Sequence, residues 1–216
     1  MAKLKVGILI SGRGSNMAAL IKAAEARDYP AEIACVVSNV AAAPGLRIAS
    51  DAGIPTVVVP HKDYPDRESF DCVVSAEFER RGVELVALAG FMRIQSPWFP
   101  ERWVGRLINI HPSLLPSFKG LHVQRQALDA GVRVSGCTVH LVTPDLDSGP
   151  IVAQAAVPVL ADDTEETLAA RILRQEHRLY PLAVRWFAEG RVRQMGSRVE
   201  VAGVPPGATL LFSGEA

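Results

Sequence analysis

Apolar and polar positions follow one rhythm in the first part of this chain and another in the second. Residues 4–10 form a β-branched, nearly continuous apolar run, as expected of a strand covered on both faces. A polar turn with two glycines follows, and residues 17–26 are then rich in good helix formers. The strand pattern returns at 32–40, 55–59 and 83–89, with helical stretches at 45–52 and 67–81 between. This alternation predicts an α/β fold: a Rossmann-like, mostly parallel twisted sheet with right-handed crossovers and helices on both faces.

The rhythm changes after Gly90. Residues 107–110 predict a short strand and 122–130 a short helix. Longer strands at 134–142 and 151–159 flank a loop rich in Pro, Asp and Gly. Residues 163–190 carry helical apolar spacing through Leu168, Ile172, Leu179, Ala183 and Trp186. Asp163 and Glu166 predict a capping box at its start, and Pro181 predicts a kink or break inside it. Residues 192–212 read as an antiparallel ribbon with a Gly/Pro tail. With no repeat, low-complexity tract or linker, residues 1–190 read as one continuous domain followed by a ribbon and tail at 191–216.

Composition narrows the function classes. Among 216 residues 49% are hydrophobic and 21% charged, enough to bury a substantial core. The 23 Lys and Arg balance the 23 Asp and Glu, which argues against a protein built to wrap nucleic acid. A small anionic substrate stays compatible, because a few local donors hold a phosphate without altering net charge. Cys35, Cys72 and Cys137 are widely spaced and form neither a disulfide framework nor a zinc-finger pattern, so a reducing cytoplasm is the expected setting. The first apolar run is too short for a signal peptide, and none approaches the roughly 20 residues that cross a bilayer.

Three segments carry candidate chemistry. The Ser11-Gly12-Arg13-Gly14-Ser15-Asn16 loop lies between the first strand and first helix, where backbone N–H groups and the helix dipole favour an anion. Met17 stands where a dinucleotide fingerprint needs its third glycine, and no Gly-Lys-Ser/Thr follows, so a monophosphate fits best. A tight capped turn would use the same residues. Asn109 and His111, in Asn109-Ile110-His111-Pro112-Ser113-Leu114-Leu115-Pro116, are two apart at a strand end and share a face. An amide beside an imidazole suits a reaction that builds charge on a carbonyl oxygen and moves a proton, although an isolated histidine there is more often simply hydrogen-bonded. Asp147, in a loop leaving a later strand, is positioned to orient His111 or to pass a proton through water; an Asx-turn is the plainer alternative.

His61, His122, His140 and His177 show no paired-ligand spacing, so no metal site is expected, and His140 reads as a packed strand histidine. Phe91-Met92-Arg93-Ile94 combines apolar bulk with a guanidinium, fitting either a flat ligand's pocket or a hydrophobic loop anchor.

Taken together, these segments resemble the phosphoribosylglycinamide formyltransferases, the folate-dependent formyl-transfer enzymes of purine synthesis. The resemblance rests on the 11–16 loop, Leu88-Ala89-Gly90-Phe91-Met92-Arg93-Ile94, the 109–116 segment, Gly136-Cys137-Thr138-Val139-His140, Leu146-Asp147-Ser148-Gly149-Pro150 and Gln175-Glu176-His177, in order from about residue 6 to 190. It implies Asn109, His111 and Asp147 as the catalytic group. Gly14, Ser15 and Asn16 are implied for the substrate phosphate, and Glu176 for the ribose hydroxyls. Arg67, Met92, Arg93, Ile94 and Asn109 are implied on the folate side with backbone of 142–147. It further implies a phosphate half at about 1–100, a catalytic and folate half at about 101–190, and a cytoplasmic monomer or homodimer. The expected substrates are glycinamide ribonucleotide and 10-formyltetrahydrofolate, with no metal, nucleic acid or membrane partner. Gln124 stands where some members have a second His.

Methionyl-tRNA formyltransferases share the 109–116 pattern, but this chain is short, neutral and without an evident RNA-binding addition. Formyltetrahydrofolate hydrolases usually carry a regulatory domain ahead of the shared residues, and the loop here begins at Ser11. A dinucleotide- or effector-binding module is disfavoured by the missing third glycine and by the lack of an acidic residue ending the second strand.

Overall fold

A computed structural model describes residues 2–204 and the backbone of 210–212. The strand-helix rhythm becomes the first of two structural units, Met1–Ile108 with Val142–Pro144. Its elements are β1 (Leu4–Ile10), α1 (Ser15–Ala24), β2 (Ala31–Ser38), α2 (Gly45–Asp51), β3 (Thr56–Val58), α3 (Arg67–Arg80), β4 (Leu85–Leu88), α4 (Trp98–Arg102) and the start of β5 (Leu107–His111). The strand order here is β5-β4-β1-β2-β3, and β1 pairs in parallel with both β2 and β4. Residues 6–10 of β1 are all buried, so its continuous apolar run reflects cover on both faces. Leu9, Val37, Phe70, Val74, Phe78, Val86 and Trp103 share one core cluster, with Phe78 edge-on to Trp103 at 6.0 Å.

The second unit, Asn109–Leu141 with Asp145–Ala216, takes up the rest of β5. It adds α5 (Val123–Asp129), β6 (Val134–Leu141), β7 (Ile151–Pro158), α6 (Glu165–Ala188), β8 (Val192–Met195), β9 (Arg198–Val201) and β10 (Leu210–Phe212). The order is β10-β7-β6-β5, with β6 and β7 antiparallel, and β8 pairs with β9 as a separate antiparallel hairpin. At Gly136 a Cβ would fall on the Ala155 carbonyl oxygen, so β6 approaches β7 more closely than a side chain permits. The mixed, mostly parallel α/β architecture expected from the sequence is the one observed.

Several local expectations need correction. Helix α1 starts at Ser15, two residues before the predicted start, because Gly14 takes the left-handed cap position at φ 71°. The cap of α6 is Thr164 with Thr167, not Asp163 with Glu166. Asp163 instead grips Arg171 through bonds of 2.6 and 2.8 Å, which hold its carboxyl well below the usual range. Pro181 does not break α6, which runs on for 24 residues. Leu179, Tyr180, Ala183 and Val184 around it are fully buried, and that packing outweighs one lost helical hydrogen bond. The region read as ribbon is a hairpin plus β10, which joins β7 in parallel; residues 205–209 of it lie outside the described residues. Helix α4 and a 3-10 turn at His61–Asp63 were not predicted.

Candidate active site

In the second unit β5 carries Asn109 and His111, β6 carries His140, and the loop before β7 brings in Asp147. The side chains of His111, His140 and Asp147 are 7%, 2% and 8% exposed, so their polar atoms must be satisfied within the protein. The His140 Nδ1 lies 2.9 Å from the Leu141 carbonyl, which only accepts, so Nδ1 carries the proton and Nε2 is a bare acceptor. Asn109 therefore turns its Nδ2 to His140 Nε2 at 3.2 Å, fixing the amide and leaving a second N–H to donate. Burial pushes the His140 imidazole below its ordinary pKa, against the opposing effects of Leu141 and the Asp147 charge.

His111 is held differently. Its Nε2 donates to the Phe118 carbonyl at 3.0 Å, while Nδ1 faces Asp147 Oδ2 at 3.6 Å. The ring's direct bond is thus to backbone, and Asp147 acts on it through charge. Asp147 accepts the Gly120 N–H at 2.9 Å and places Oδ1 3.8 Å from His140 Nε2, so one carboxylate lies between two imidazoles. Asp147 has a left-handed φ of 46°, an energetically costly conformation for a residue with a side chain. The 113–118 segment that supplies Phe118 is itself pinned, since Thr138 donates to Ser113 O at 2.7 Å and receives Leu115 N–H at 3.0 Å. Asp147, Lys119, Ser148 and Arg198 border a cavity of about 410 Å³.

In the first unit the 11–16 loop is built from backbone. Helix α1 has no side-chain cap and no acidic residue in its first turn, a helix start whose dipole favours an anion. At Gly14 a Cβ would press on Met17 Cε at 3.0 Å and Gly45 Cα at 3.1 Å, besides demanding the left-handed region. Ser11 ties this loop to the next one. Its N–H donates to Gly90 O at 3.1 Å, and its Oγ receives Met92 N–H at 2.8 Å and donates to Asn39 Oδ1 at 2.7 Å. Met92 and Ile94 are 69% and 55% exposed, and Arg93 lies 5.2 Å over the Phe70 ring.

Asn109, His111 and Asp147 are therefore brought together in one unit. Gly14, Ser15 and Asn16 lie together in the other, with Met92–Ile94 tethered to their loop and Arg67 opening α3. Glu176 is buried on α6, where its charge adds to burial in raising the Cys137 thiol's pKa. Sequence reasoning missed the place of His140 in the cluster, and the supporting roles of Asn39 and Gly45. No group of three or more His, Cys, Asp or Glu among the described residues is placed to hold a metal. No helix among them is long and apolar enough to cross a membrane.

The second unit thus gathers a buried imidazole-carboxylate-imidazole cluster with an amide at the end of β5, on a mostly parallel α/β fold. The formyl transferase family matches residues 4–184, and the chain belongs to that family. More particularly, it is 45% identical over 190 residues to the phosphoribosylglycinamide formyltransferase of Escherichia coli (strain K12), covering 88% of this chain and 90% of that one. It is 51% identical over 191 residues to the trifunctional purine biosynthetic protein adenosine-3 of Gallus gallus, 88% of this chain but only 19% of that much longer protein. The structure of glycinamide ribonucleotide transformylase 1 from Symbiobacterium toebii superposes with a TM-score of 0.90 at 47% identity, covering 92% of this chain and 94% of that one.

Proposed function

We propose that this chain transfers the formyl group of 10-formyltetrahydrofolate to the amine of glycinamide ribonucleotide, giving formylglycinamide ribonucleotide and tetrahydrofolate. The observation that carries the reading is the Asn109 amide, fixed by His140 with one N–H uncommitted, beside a carboxylate flanked by two imidazoles. As the amine nitrogen bonds to the formyl carbon, negative charge gathers on the formyl oxygen. Asn109 donates its second N–H there, a contribution whose loss typically costs about 2.7–4 kcal/mol. His111, its Nδ1 3.6 Å from Asp147 Oδ2, is the imidazole partner of that carboxylate in moving protons. Asp147 takes the proton leaving the amine, directly or through water, and a proton is returned to the folate nitrogen as its bond to the formyl carbon breaks. Gly14, Ser15 and Asn16 hold the ribonucleotide phosphate, Glu176 the ribose hydroxyls, and Arg67, Met92, Arg93 and Ile94 the folate.

The test follows tetrahydrofolate formation by purified protein at fixed salt with each acceptor in turn. Turnover is expected to depend on glycinamide ribonucleotide, with initiator methionyl-tRNA failing to replace it. Equal rates without acceptor would reassign the protein as a hydrolase, and efficient turnover on charged tRNA would place it in the RNA-modifying branch.

A further inference from the structure

The loop that leaves β4 is gripped by α3 along its length. Phe91 stacks on Phe70 at 6.3 Å with the rings 9° from parallel, and the Arg93 guanidinium lies 5.2 Å over that same ring. One residue further along α3, Asp71 is 1% exposed and closes the far end of the loop. A single oxygen, Oδ2, accepts both the Ser96 N–H at 2.6 Å and the Ser96 Oγ–H at 2.7 Å. We propose that Asp71 is a positioning residue for folate, holding through Ser96 the loop that presents Met92, Arg93 and Ile94. This rests on the function proposed above.

The chemistry of the contact supports more than a structural staple. Burial pushes the Asp71 carboxyl above its ordinary pKa, with the Ser96 bonds and the Arg93 and Arg67 charges opposing that rise. A neutral side chain would hold a serine at lower desolvation cost than a buried carboxylate. What the charge adds is a field on Arg93 and Arg67, two guanidiniums on the proposed folate side. Arg93 Nε is buried with no hydrogen-bond partner among the described residues, and its guanidinium stacks on Phe70 within the field of Asp71. With the far end fixed by Asp71 and the near end by Ser11, the segment between them is presented in one shape, which lowers the ordering cost of binding a ligand.

The decisive comparison uses Asp71→Ala, Asp71→Asn and Ser96→Ala. In Asp71→Ala both bonds are lost, and KM for the formyl-folate is expected to rise about tenfold or more, with KM for the ribonucleotide within about twofold of wild type. Asp71→Asn keeps an acceptor oxygen but removes the charge, and Ser96→Ala removes one bond of two; each should show a smaller rise in the same KM. Equilibrium titration with tetrahydrofolate and hydrogen exchange at the Ser96 amide accompany the kinetics, with faster exchange expected in Asp71→Ala. Should Asp71→Ala not fold, Ser96→Ala and Asp71→Asn decide. An unchanged folate KM in either folded variant, or equal rises in both KM values, overturns the proposal. A wild-type protein that takes up no tetrahydrofolate overturns the function itself, whereas wild type and Asp71→Ala binding it equally overturn only the role of Asp71.

Discussion

At the N-terminus of α1 the first unit presents backbone, a run of N–H groups opened by a left-handed glycine and supported by the hydroxyl of Ser11. At the end of β5 the second unit presents side chains, two imidazoles and a carboxylate that are almost entirely buried. Backbone donors do not titrate and need only the right turn. Buried ionisable groups change charge with pH and depend on every partner that satisfies them. The first arrangement suits holding a ligand of fixed charge, and the second suits moving protons. Binding and chemistry should therefore respond to different perturbations.

The largest expected effect breaks the second arrangement alone. Asn109→Ala should lower kcat by about 10²–10³-fold, while calorimetric titration still finds both ligands bound. Turnover within about threefold of wild type, a barrier change of only ~0.65 kcal/mol, would remove Asn109 from the reaction. In the first arrangement, Asn16→Ala should raise KM for the ribonucleotide about tenfold and leave that for the folate unchanged. Steady-state assays with nucleotide and dephosphorylated nucleoside check this; equal efficiency on both would eliminate the phosphate site.

The smallest effect sharpens the contrast through pH. The His140 pKa is lowered by burial in the folded protein, so above the unfolded value of roughly 6.5 both states are neutral and stability is at its full value. As pH falls below that value the unfolded chain takes up the proton first. Stability then declines by at most about 1.4 kcal/mol per pH unit, levelling off below the folded value. Urea midpoints measured from pH 7.5 down to 5 should show this slope in wild type and a shallower one in His140→Gln. Ribonucleotide affinity at α1 should carry no matching His140 dependence.

Where the deciding signal was local, the sequence was readable. Residues 4–10 predicted β1 to the residue because a short β-branched apolar run ended by Ser11 and Gly12 favours a strand, and Asn109 and His111 could be paired because two positions on one strand share a face. Asp147 lies 36 residues beyond His111, so residue chemistry offers the pairing only beside a plain Asx-turn, and the resemblance to a known family is what favours it. His140 reads as core from sequence because its part in the cluster depends on β6 lying beside β5, a pairing no local pattern shows. Asn39 and Gly45 bond to the 11–16 loop from the next strand-helix connection, and neither has a spacing that marks it. Pro181 and Asp163 misled for a shared reason, since helix rules weigh neighbours along the chain and these residues answer to partners elsewhere in the fold.

The glycine at 136 bears on how this molecule tolerates changes in length. Because a side chain there would fall on Ala155, Gly136 fixes where β6 meets β7, and four residues later, past the register shift at Val139, His140 must still face Asn109. A codon inserted or deleted between them would keep the strand hydrophobic yet turn the imidazole to the opposite face. An insertion scan should thus meet a short intolerant window from Gly136 to His140, whereas the exposed turn at Gly196 between β8 and β9 accepts additions freely.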